Sequence, residues 1–319
     1  MNILIIGYSA IVQKRILPAL KKIDGIGGID IATRSSPALC SDQTISRGMV
    51  FNDYAEALSK SSADLVYISL VNSSHAEWAE KALLCGRHVI VDKPAFTSLA
   101  DTQRLAELAR SQNRCLAEAT VYPWHPQIQT ARDLFQQAGT QPTRLTVGFS
   151  FPPFPEDNFR WQRHLGGGAL WDLGPYAVSP GRLFFNAEPD EIFCRVCTRN
   201  SATGVDTSFS VLAVYPDGRS MVGNFDFNTA YRNCINILGP RMSIDIERVF
   251  TTPPDMENEL TLRLQNGTKM IKTPAADSFA IFFQRVYDAI KEKRHEIFIK
   301  TLLSDAAVLN KLRMAAHEE

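Results

Sequence analysis

The sequence predicts an α/β + α+β protein, in which an N-terminal Rossmann-type domain with a parallel sheet precedes a C-terminal domain built on a large, mostly antiparallel open sheet. Three observations predict this fold class. The first third of the chain alternates short, continuously apolar runs with amphipathic segments. The remainder is rich in strand-like runs joined by hairpin signals. The length of 319 residues suits two hydrophobic cores rather than one.

Residues 1–121 are expected to form the dinucleotide-binding Rossmann domain, because each apolar run there is followed by an amphipathic one. The apolar runs predict strands over Ile3–Ile6, Ile29–Thr33, Leu65–Leu70, His88–Val91 and Cys115–Ala119. The amphipathic runs predict helices over Ala10–Lys22, Asp53–Lys60, His75–Cys85 and Ser98–Asn113. Continuously apolar strands that alternate with helices form a parallel sheet covered on both faces.

Residues 122–319 are expected to form a substrate-binding and oligomerisation domain of the α+β type. Helices are predicted over Ala169–Phe185, Ser278–Lys291 and Leu302–Ala316. Strands are predicted over Thr143–Phe151, Glu191–Thr198, Ser208–Tyr215, Ser220–Asp226, Cys234–Leu238, Met242–Ile246 and Glu259–Leu264. Hairpin signals at Pro216-Asp217-Gly218 and Asn266-Gly267 indicate that the sheet is antiparallel.

The composition excludes several classes of protein. Lys+Arg and Asp+Glu both number 34, so the sequence predicts no basic surface for nucleic acid or an anionic membrane. No apolar run approaches the ~20 residues that span a bilayer, and the opening run Met1–Gly7 has no basic n-region of a signal peptide. The cysteines are scattered and the histidines lack metal-ligand spacing. We therefore expect a cytoplasmic protein with reduced thiols and no catalytic metal.

The turn after the first strand has the position of a dinucleotide-binding turn. Its sequence, Gly7-Tyr8-Ser9-Ala10-Ile11-Val12, keeps only the first glycine of the G-x-G-x-x-G pattern. It nevertheless follows the first strand and opens the first helix, where backbone N–H groups and the helix dipole bind a pyrophosphate. The alternative interpretation is an ordinary strand-to-helix turn.

The end of the second strand indicates which dinucleotide is bound. An NAD-specific site places an acidic residue here to hold the ribose 2′-hydroxyl. This chain has Thr33 at that position, followed by Arg34 and Ser35. A guanidinium favours a 2′-phosphate and can stack on the adenine, so the cofactor is predicted to be NADP(H). The alternative is a solvated arginine at a strand end.

Two further strand ends carry polar side chains. The segment after Leu70 contains Asn72 and His75, and the strand ending at Val91 is followed by Asp92-Lys93-Pro94. Because the carboxyl ends of parallel strands face the ligand crevice, both segments are expected near the nicotinamide. His75 can equally be no more than the first residue of a helix.

The most informative stretch runs from Arg160 to Tyr176 and contains Gly166-Gly167-Gly168. Asp172 and Tyr176 are four residues apart and would share one helix face, although Pro175 would kink a regular helix. A carboxylate and a phenol that act with Lys93 suit carbonyl reduction: the phenol or the ammonium protonates the alkoxide, and the carboxylate orients substrate hydroxyls. His164 and His125 are further candidates for this cleft.

These motifs resemble those of the Gfo/Idh/MocA oxidoreductases. The resemblance rests on the N-terminal turn, on Asp92-Lys93-Pro94 and on the run from Gly166 to Tyr176, in that order. Within this family, the chain resembles most the nucleotide-sugar 3-ketoreductases of deoxysugar biosynthesis. This narrower resemblance rests on Pro152-Pro153, Arg160-Trp161-Gln162 and the segment from Arg248 to Pro254. The chain differs from many family members in having Tyr176 rather than His and Asp92 rather than Glu.

The resemblance implies a two-domain, NADPH-dependent reductase of a keto-sugar, with Lys93, Tyr176 and Asp172 as catalytic residues. Substrate contacts are expected from Lys93, Asp172, Tyr176, His164 and Arg163. The residues expected to bind the cofactor are Gly7, Tyr8, Ser9, Ala10, Ile11, Thr33, Arg34, Ser35, Leu70, Asn72, His75, Asp92, Lys93, Pro94, Glu118, Arg160 and Trp161.

The resemblance also implies that the C-terminal sheet packs against another subunit, giving a homodimer or homotetramer. Two alternative functions stay open. One is an NAD(P)-dependent dehydrogenase that oxidises a sugar, cyclitol or dihydrodiol. The other is a non-catalytic NADP-binding regulator, against which the presence of both Lys93 and Tyr176 argues.

Overall fold

The computed structural model describes residues 1–34 and 48–317. They form two compact units. The first contains the described residues of Met1–Thr120 and Phe279–Ala306, and the second those of Val121–Ser278 and Ala307–Glu319. Each unit holds one sheet and one hydrophobic core. Within the described ranges, no helix is both long and apolar enough to cross a membrane.

The elements are numbered in chain order. The strands are β1 (Ile3–Ile6), β2 (Ile29–Ala32), β3 (Val50–Phe51), β4 (Leu65–Ile68), β5 (His88–Val91), β6 (Leu116–Glu118), β7 (Arg144–Ser150), β8 (Glu191–Arg199), β9 (Asp206–Tyr215), β10 (Arg219–Asp226), β11 (Arg232–Leu238), β12 (Met242–Glu247), β13 (Asn258–Leu264) and β14 (Gly267–Thr273). The α-helices are α1 (Leu17–Leu20), α2 (Tyr54–Lys60), α3 (His75–Leu84), α4 (Leu99–Ser111), α5 (Pro126–Gln137), α6 (Ala169–Asp172), α7 (Gly174–Phe185), α8 (Ser278–Lys291) and α9 (Glu296–Ala315). A π-helical turn, Val12–Ile16, leads into α1.

The first unit confirms the predicted Rossmann-type sheet. Its strand order is β3-β2-β1-β4-β5-β6, and every pairing between neighbours is parallel. All four residues of β1 and of β4 are buried, as expected for strands that are covered on both faces. The chain reverses direction across the sheet between β1 and β4, which is the switch point where such sheets bind ligands.

The second unit confirms the predicted large, mostly antiparallel sheet. The order is β14-β13-β12-β11-β7-β10-β9-β8, and only the pairing of β7 with β10 is parallel. Burial alternates along the strands: on β10, Met221 is 1% exposed and Val222 is 44% exposed. One face therefore forms the core, to which α7 contributes, and the other face carries exposed side chains.

The two C-terminal helices are not both part of the second unit, as the predicted domain boundary would have them. All of residues 122–319 were predicted to belong to the second domain, whereas residues 279–306 form part of the first unit. The reason is aromatic packing, because Phe283 of α8 contacts Tyr67 of β4 at a centroid distance of 5.5 Å. We therefore propose a first domain that is discontinuous in sequence.

Three elements, β3, β14 and α5, were not predicted, and two predicted helices differ from those observed. β3 has only two residues, β14 is mostly exposed and lacks apolar alternation, and α5 begins at a proline. The predicted helix Ala169–Phe185 is two helices, because the backbone at Leu173 (φ −103°, ψ −14°) leaves the helical path. The last helix begins at Glu296 rather than at Leu302.

Candidate active site

Most of the residues expected to bind the dinucleotide lie at one edge of the first sheet, whereas Arg160 and Trp161 belong to the second unit. Those of the glycine turn follow β1, Arg34 follows β2, Asn72 and His75 follow β4, and Lys93 follows β5. These are carboxyl ends of parallel strands on both sides of the switch point. The sheet topology thus collects side chains that are far apart in the sequence.

The first turn requires its single glycine. Gly7 has φ +96°, and a Cβ there would overlap the carbonyl oxygen of Ser69. Ser9 takes the place of the second glycine: its hydroxyl lies 2.8 Å from the Ser69 hydroxyl and accepts a 3.3 Å hydrogen bond from the backbone N–H of Val12. The turn is therefore held against the end of β4.

Arg34 rests on an aromatic pair. Its guanidinium lies 4.5 Å from the ring centroid of Tyr54 and 6.0 Å from that of Trp78, and the two rings meet edge to face at 5.1 Å. Thr33 is only 1% exposed, so the exposed Arg34 is the better placed of the two to contact a ligand. The predicted contact from Ser35 lies outside the described residues.

The Asp92 carboxylate accepts hydrogen bonds from two side chains of the first unit. The hydroxyls of Tyr67 and Ser69 each donate a hydrogen bond to one of its carboxylate oxygens. Burial, and then the charge of Asp92, raise the pKa of Tyr67 well above its ordinary value, so this phenol stays a donor. The carboxylate that was predicted to contact the cofactor is bonded to these two hydroxyl groups.

His75 and Glu118 fix the backbone around Lys93-Pro94, whose peptide bond is cis. His75 is fully buried, with Nδ1 at 3.0 Å from the carbonyl oxygen of Pro94 and Nε2 at 3.1 Å from that of Leu70. Burial lowers the pKa of His75. Glu118 accepts a 2.8 Å hydrogen bond from the N–H of Ala95. Both residues were predicted to bind the cofactor, and both have these backbone partners in the first unit.

The glycine cluster of the second unit is built around a carboxylate that sequence reasoning missed. Gly168 has φ +116°, and a Cβ there would overlap the side chain of Asp206. Asp206 is 7% exposed and accepts a 2.7 Å hydrogen bond from the backbone N–H of Leu170. The only sequence signal for this contact is an acidic residue at the start of β9, 36 residues away.

Asp172 and Tyr176 lie on different helices, so the prediction that they share one continuous helix face is wrong. Asp172 ends α6, and Pro175 occupies the first turn of α7, where a proline is well tolerated. The Asp172 carboxylate forms an ion pair with Arg160: Nε lies 3.0 Å from one oxygen, and Nη2 donates a 3.1 Å hydrogen bond to the other.

Tyr176 is surrounded by aromatic rings and is 9% exposed. Its ring centroid lies 4.9 Å from those of Phe149 and Phe250 and 6.1 Å from that of Tyr122. Phe250 is held in turn by a 2.9 Å hydrogen bond from its N–H to the side-chain oxygen of Asn233. The phenol therefore has a ring position fixed by packing, in surroundings of low polarity.

The remaining candidates of the second unit are placed individually. Trp161 is buried, and its indole N–H donates a 2.9 Å hydrogen bond to the carbonyl of Pro155. Arg163 and His164 are exposed. His125 is buried and caps α5 by accepting a hydrogen bond from the N–H of Gln127, and burial lowers its pKa to about 4. Of all the candidate residues of the second unit, Arg160 and Asp172 are the pair that the structure shows in direct contact.

Two family models match the chain. One, described as an oxidoreductase family with an NAD-binding Rossmann fold, GFO_IDH_MocA, matches residues 1–120. The other, the GFO/IDH/MocA C-terminal domain, matches residues 128–245. The two matches fall on the two structural units and together cover most of the sequence.

Three individual proteins show how the similarity extends along the chain. The dTDP-3,4-didehydro-2,6-dideoxy-alpha-D-glucose 3-reductase of Streptomyces violaceoruber is 29% identical over 98% of this chain and 94% of its own length. The D-xylose 1-dehydrogenase (NADP(+)) 2 of Haloferax volcanii is 28% identical over 81% of this chain and 79% of its own. The crystal structure of KijD10, a 3-ketoreductase from Actinomadura kijaniata in complex with NADP and TDP-benzene, superposes with a TM-score of 0.92 at 26% identity, covering 99% of this chain and 98% of that one.

Gly168→Ala is predicted to destabilise the second unit by roughly 2–5 kcal/mol, because backbone strain and overpacking each cost about 1–3 kcal/mol. Gly204→Ala is the matched control: Gly204 also has a positive φ (+71°) but nothing within 4 Å of its Cβ position. Gly204→Ala should lower the free energy of unfolding by about 1–2 kcal/mol, the cost of backbone strain alone. Urea unfolding of the three proteins measures both values. Equal losses would contradict the close approach of Asp206 to Gly168.

Proposed function

This chain belongs to the Gfo/Idh/MocA family of oxidoreductases, and we propose that it uses NADPH to reduce the carbonyl of a keto-sugar, with a nucleotide-linked 3-keto sugar as its substrate. The observation that carries the proposal is the similarity to 3-ketoreductases, which extends over nearly the whole chain in both sequence and structure. A shared nucleotide-binding domain alone would support only the oxidoreductase class.

The choice of NADPH rests on the strand end after β2. No acidic side chain is available at Thr33 for a ribose 2′-hydroxyl, and Arg34 offers a cation for the 2′-phosphate. Tyr54 and Trp78 hold the Arg34 guanidinium in a defined place, which reduces the entropy lost on binding. The glycine at Gly7 lets the first turn pack against Ser69 at the end of β4.

Bound NADPH supplies a hydride to the carbonyl carbon, so negative charge grows on the carbonyl oxygen. We assign the protonation of that oxygen to the Tyr176 phenol, because a tyrosine is protonated at neutral pH and this ring is fixed by Phe149 and Phe250. The Lys93 ammonium stabilises the developing charge and orients the carbonyl. His75 and Glu118 hold the loop that carries Lys93.

Asp172 is assigned to the substrate hydroxyls. Its carboxylate is held in place by the Arg160 guanidinium, so it can accept hydrogen bonds from a sugar without moving. Arg160, which was predicted to bind the cofactor, then acts as the residue that positions Asp172. The expected substrate contacts of Arg163 and His164 fit their exposure.

The second candidate function is the oxidation of a free sugar, which the similarity to the NADP-dependent D-xylose 1-dehydrogenase favours. The two functions differ in direction and in substrate. Assays of NADPH oxidation with dTDP-linked 3-keto sugars, and of NADP reduction with free aldoses, separate them. Turnover in the second assay alone would replace our proposal by the dehydrogenase.

Arg34→Ala is predicted to weaken NADPH binding and to leave NADH binding nearly unchanged. A charge-assisted contact to the 2′-phosphate contributes about 1.5–3 kcal/mol, which is roughly a ten- to over a hundredfold change in Kd. Arg104→Ala, which removes a surface arginine paired with Glu80, is the control and should bind both cofactors as the wild type does. Titration of nicotinamide fluorescence gives the constants. Tighter binding of NADH than of NADPH by the wild type would refute the assignment.

Tyr176→Phe is predicted to lower kcat by roughly 10²–10⁴-fold, the typical contribution of general acid catalysis, with NADPH affinity retained. Lys93→Ala should be at least as damaging. Tyr215→Phe is the matched control, because it removes a buried phenol hydroxyl from the same unit outside the proposed site. Steady-state kinetics on a dTDP-linked keto-sugar decide. A loss of less than about threefold in Tyr176→Phe would leave Lys93 or His164 as the acid.

We also propose that the exposed face of the second sheet pairs two copies of this chain, as a homodimer or as part of a homotetramer. Phe193, Leu212 and Val222 are directly opposed on neighbouring strands and are 55%, 39% and 44% exposed, so they form an apolar row. Burying such a row against a second copy removes an aggregation hazard.

Leu212→Glu is predicted to shift the protein toward monomer, because it places a charge in the middle of that apolar row. Leu84→Glu is the control, since Leu84 is also exposed (63%) but lies on α3 of the first unit. Sedimentation velocity at micromolar concentration measures the oligomeric state. A wild type that is only monomeric, or a Leu212→Glu protein that assembles like the wild type, would count against this interface.

A further inference from the structure

Residues 248–254, which connect β12 to the loop before β13, lie next to the proposed proton donor. The Phe250 ring of this segment is 4.9 Å from the ring of Tyr176. The backbone is strained at Arg248, whose φ of +53° lies in the left-handed region that a side chain disfavours. Such a conformation persists only where the surrounding structure holds it. The hydrogen bonds that hold this segment therefore also decide where the Phe250 ring lies.

Asn233 of β11 binds the segment through its backbone and its side chain. Its backbone carbonyl accepts a 2.5 Å hydrogen bond from the N–H of Arg248, and its side-chain oxygen accepts a 2.9 Å hydrogen bond from the N–H of Phe250. Its side-chain nitrogen donates hydrogen bonds to the hydroxyls of Thr251 (2.7 Å) and Tyr231 (3.0 Å). One residue thus fixes two N–H groups and one hydroxyl of the segment.

A second buried amide, Gln127 of α5, binds the same segment. Its side-chain nitrogen donates 3.1 Å hydrogen bonds to the carbonyl oxygen of Val249 and to the hydroxyl of Thr252. Together with the contacts of Asn233, these hydrogen bonds involve every one of residues 248–252. The path of the backbone around Phe250 is therefore set by side chains that are distant in the sequence.

Asn233 also adjoins the other phenylalanine ring that packs on Tyr176. In the sheet register it lies directly opposite Phe149 of β7, and residues opposed in this way project from the same face of a sheet. Phe149 stacks on Phe250 at a centroid distance of 5.3 Å, and the centroids of both rings lie 4.9 Å from that of Tyr176. The asparagine is thus beside one neighbour of the phenol and hydrogen-bonded to the other.

Asn233 interrupts an apolar row of the core. It is 1% exposed and shares the buried face of β11 with Ile235 and Ile237. A buried amide costs free energy unless it is hydrogen-bonded, and its net contribution to stability is modest even then. What an amide adds to a core is direction, because its donor and acceptor restrict the distance and the angle of the groups that they bind. The residue therefore serves the geometry of the segment.

We propose that Asn233 is a positioning residue for Tyr176: it fixes residues 248–252 and, through Phe250, the ring of the phenol that protonates the carbonyl oxygen. The inference rests on the proposed function. A general acid acts only within hydrogen-bond reach of the oxygen, so a small displacement of the ring lowers kcat. Binding of the keto-sugar in its ground state does not require this proton transfer, so KM changes little.

The first test is the steady-state reduction of a dTDP-linked 3-keto sugar by NADPH. Asn233→Ala should lower kcat roughly 10–10²-fold, the scale expected when a catalytic group is misplaced by about 1 Å, with KM and the Kd for NADPH within about threefold of the wild type. Asn236→Ala is the matched control. It removes the same side chain from the same strand, but Asn236 bonds to Asp245 of β12, so kcat should stay unchanged.

A loss of folded protein would also lower kcat, and a double-mutant cycle with Tyr176→Phe separates the two causes. If Asn233 acts through the phenol, Asn233→Ala should have little further effect once that phenol is absent. A general defect in the fold would lower kcat by the same factor in both backgrounds. Such additive losses would overturn the proposal.

The second test needs no substrate. Protein labelled with 3-fluorotyrosine gives a fluorine NMR signal for Tyr176, which is assigned by its absence from Tyr176→Phe. We expect this signal to shift in Asn233→Ala and to keep its position in Asn236→Ala. An unchanged signal in Asn233→Ala would overturn the proposal, even if keto-sugar reduction is observed. A shifted signal without turnover of any keto-sugar would support the positioning role and contradict the proposed reaction.

If Asn233→Ala does not fold, the double variant Tyr231→Phe/Thr251→Val replaces it. This variant removes both hydroxyls that the side-chain nitrogen of Asn233 binds, and both substituted residues are exposed, so the core keeps its packing. The Tyr176 signal should again shift, with a smaller loss of kcat than in Asn233→Ala. A wild-type kcat together with an unshifted signal would overturn the proposal.

Discussion

Part-buried hydrogen bonds at the carboxyl edge of the first sheet are the constraint on which the proposed site depends. Asp92 accepts from Tyr67 and Ser69, and the Ser69 hydroxyl also contacts Ser9 of the first turn. These contacts join the ends of three strands, so the turn for the pyrophosphate and the loop that begins at Lys93 cannot move independently. Removing these donors would leave a partly buried carboxylate without its hydrogen bonds, which costs free energy.

The second unit also fixes the positions of its two candidate side chains, Asp172 and Tyr176, but through different interactions. The Asp172 carboxylate, which is proposed to orient the sugar, is nearly buried and is paired with the Arg160 guanidinium. The phenol of Tyr176 needs a fixed position rather than a charge partner, and aromatic packing provides it. Asp172 thus has a charged partner, which suits a hydrogen-bond acceptor. Tyr176 has apolar surroundings, which suit a hydrogen-bond donor.

The sequence was informative where a local pattern decides structure. Ile3–Ile6 and His88–Val91 were predicted with the observed bounds, because both are short runs that are apolar throughout or after the first residue, which is typical of a buried strand. Arg34 was found from its position after a strand. Contacts between distant residues were not predictable: nothing near Gly168 indicates Asp206, and nothing near His75 indicates the Pro94 carbonyl that it contacts. Pro175 indicated a kink, whereas the structure has a complete break at Leu173, with Pro175 in the first turn of the next helix.

The most direct test of the account is transfer of the hydride itself. The protein is incubated with a dTDP-linked 3-keto sugar and NADPH that carries deuterium at C4 of the nicotinamide, and the product is analysed by mass spectrometry and NMR. Deuterium from one face of the nicotinamide, bound to the former carbonyl carbon of the sugar, is the predicted result. Oxidation of NADPH without deuterium in the sugar, or no reaction with any nucleotide-linked keto-sugar, would contradict it.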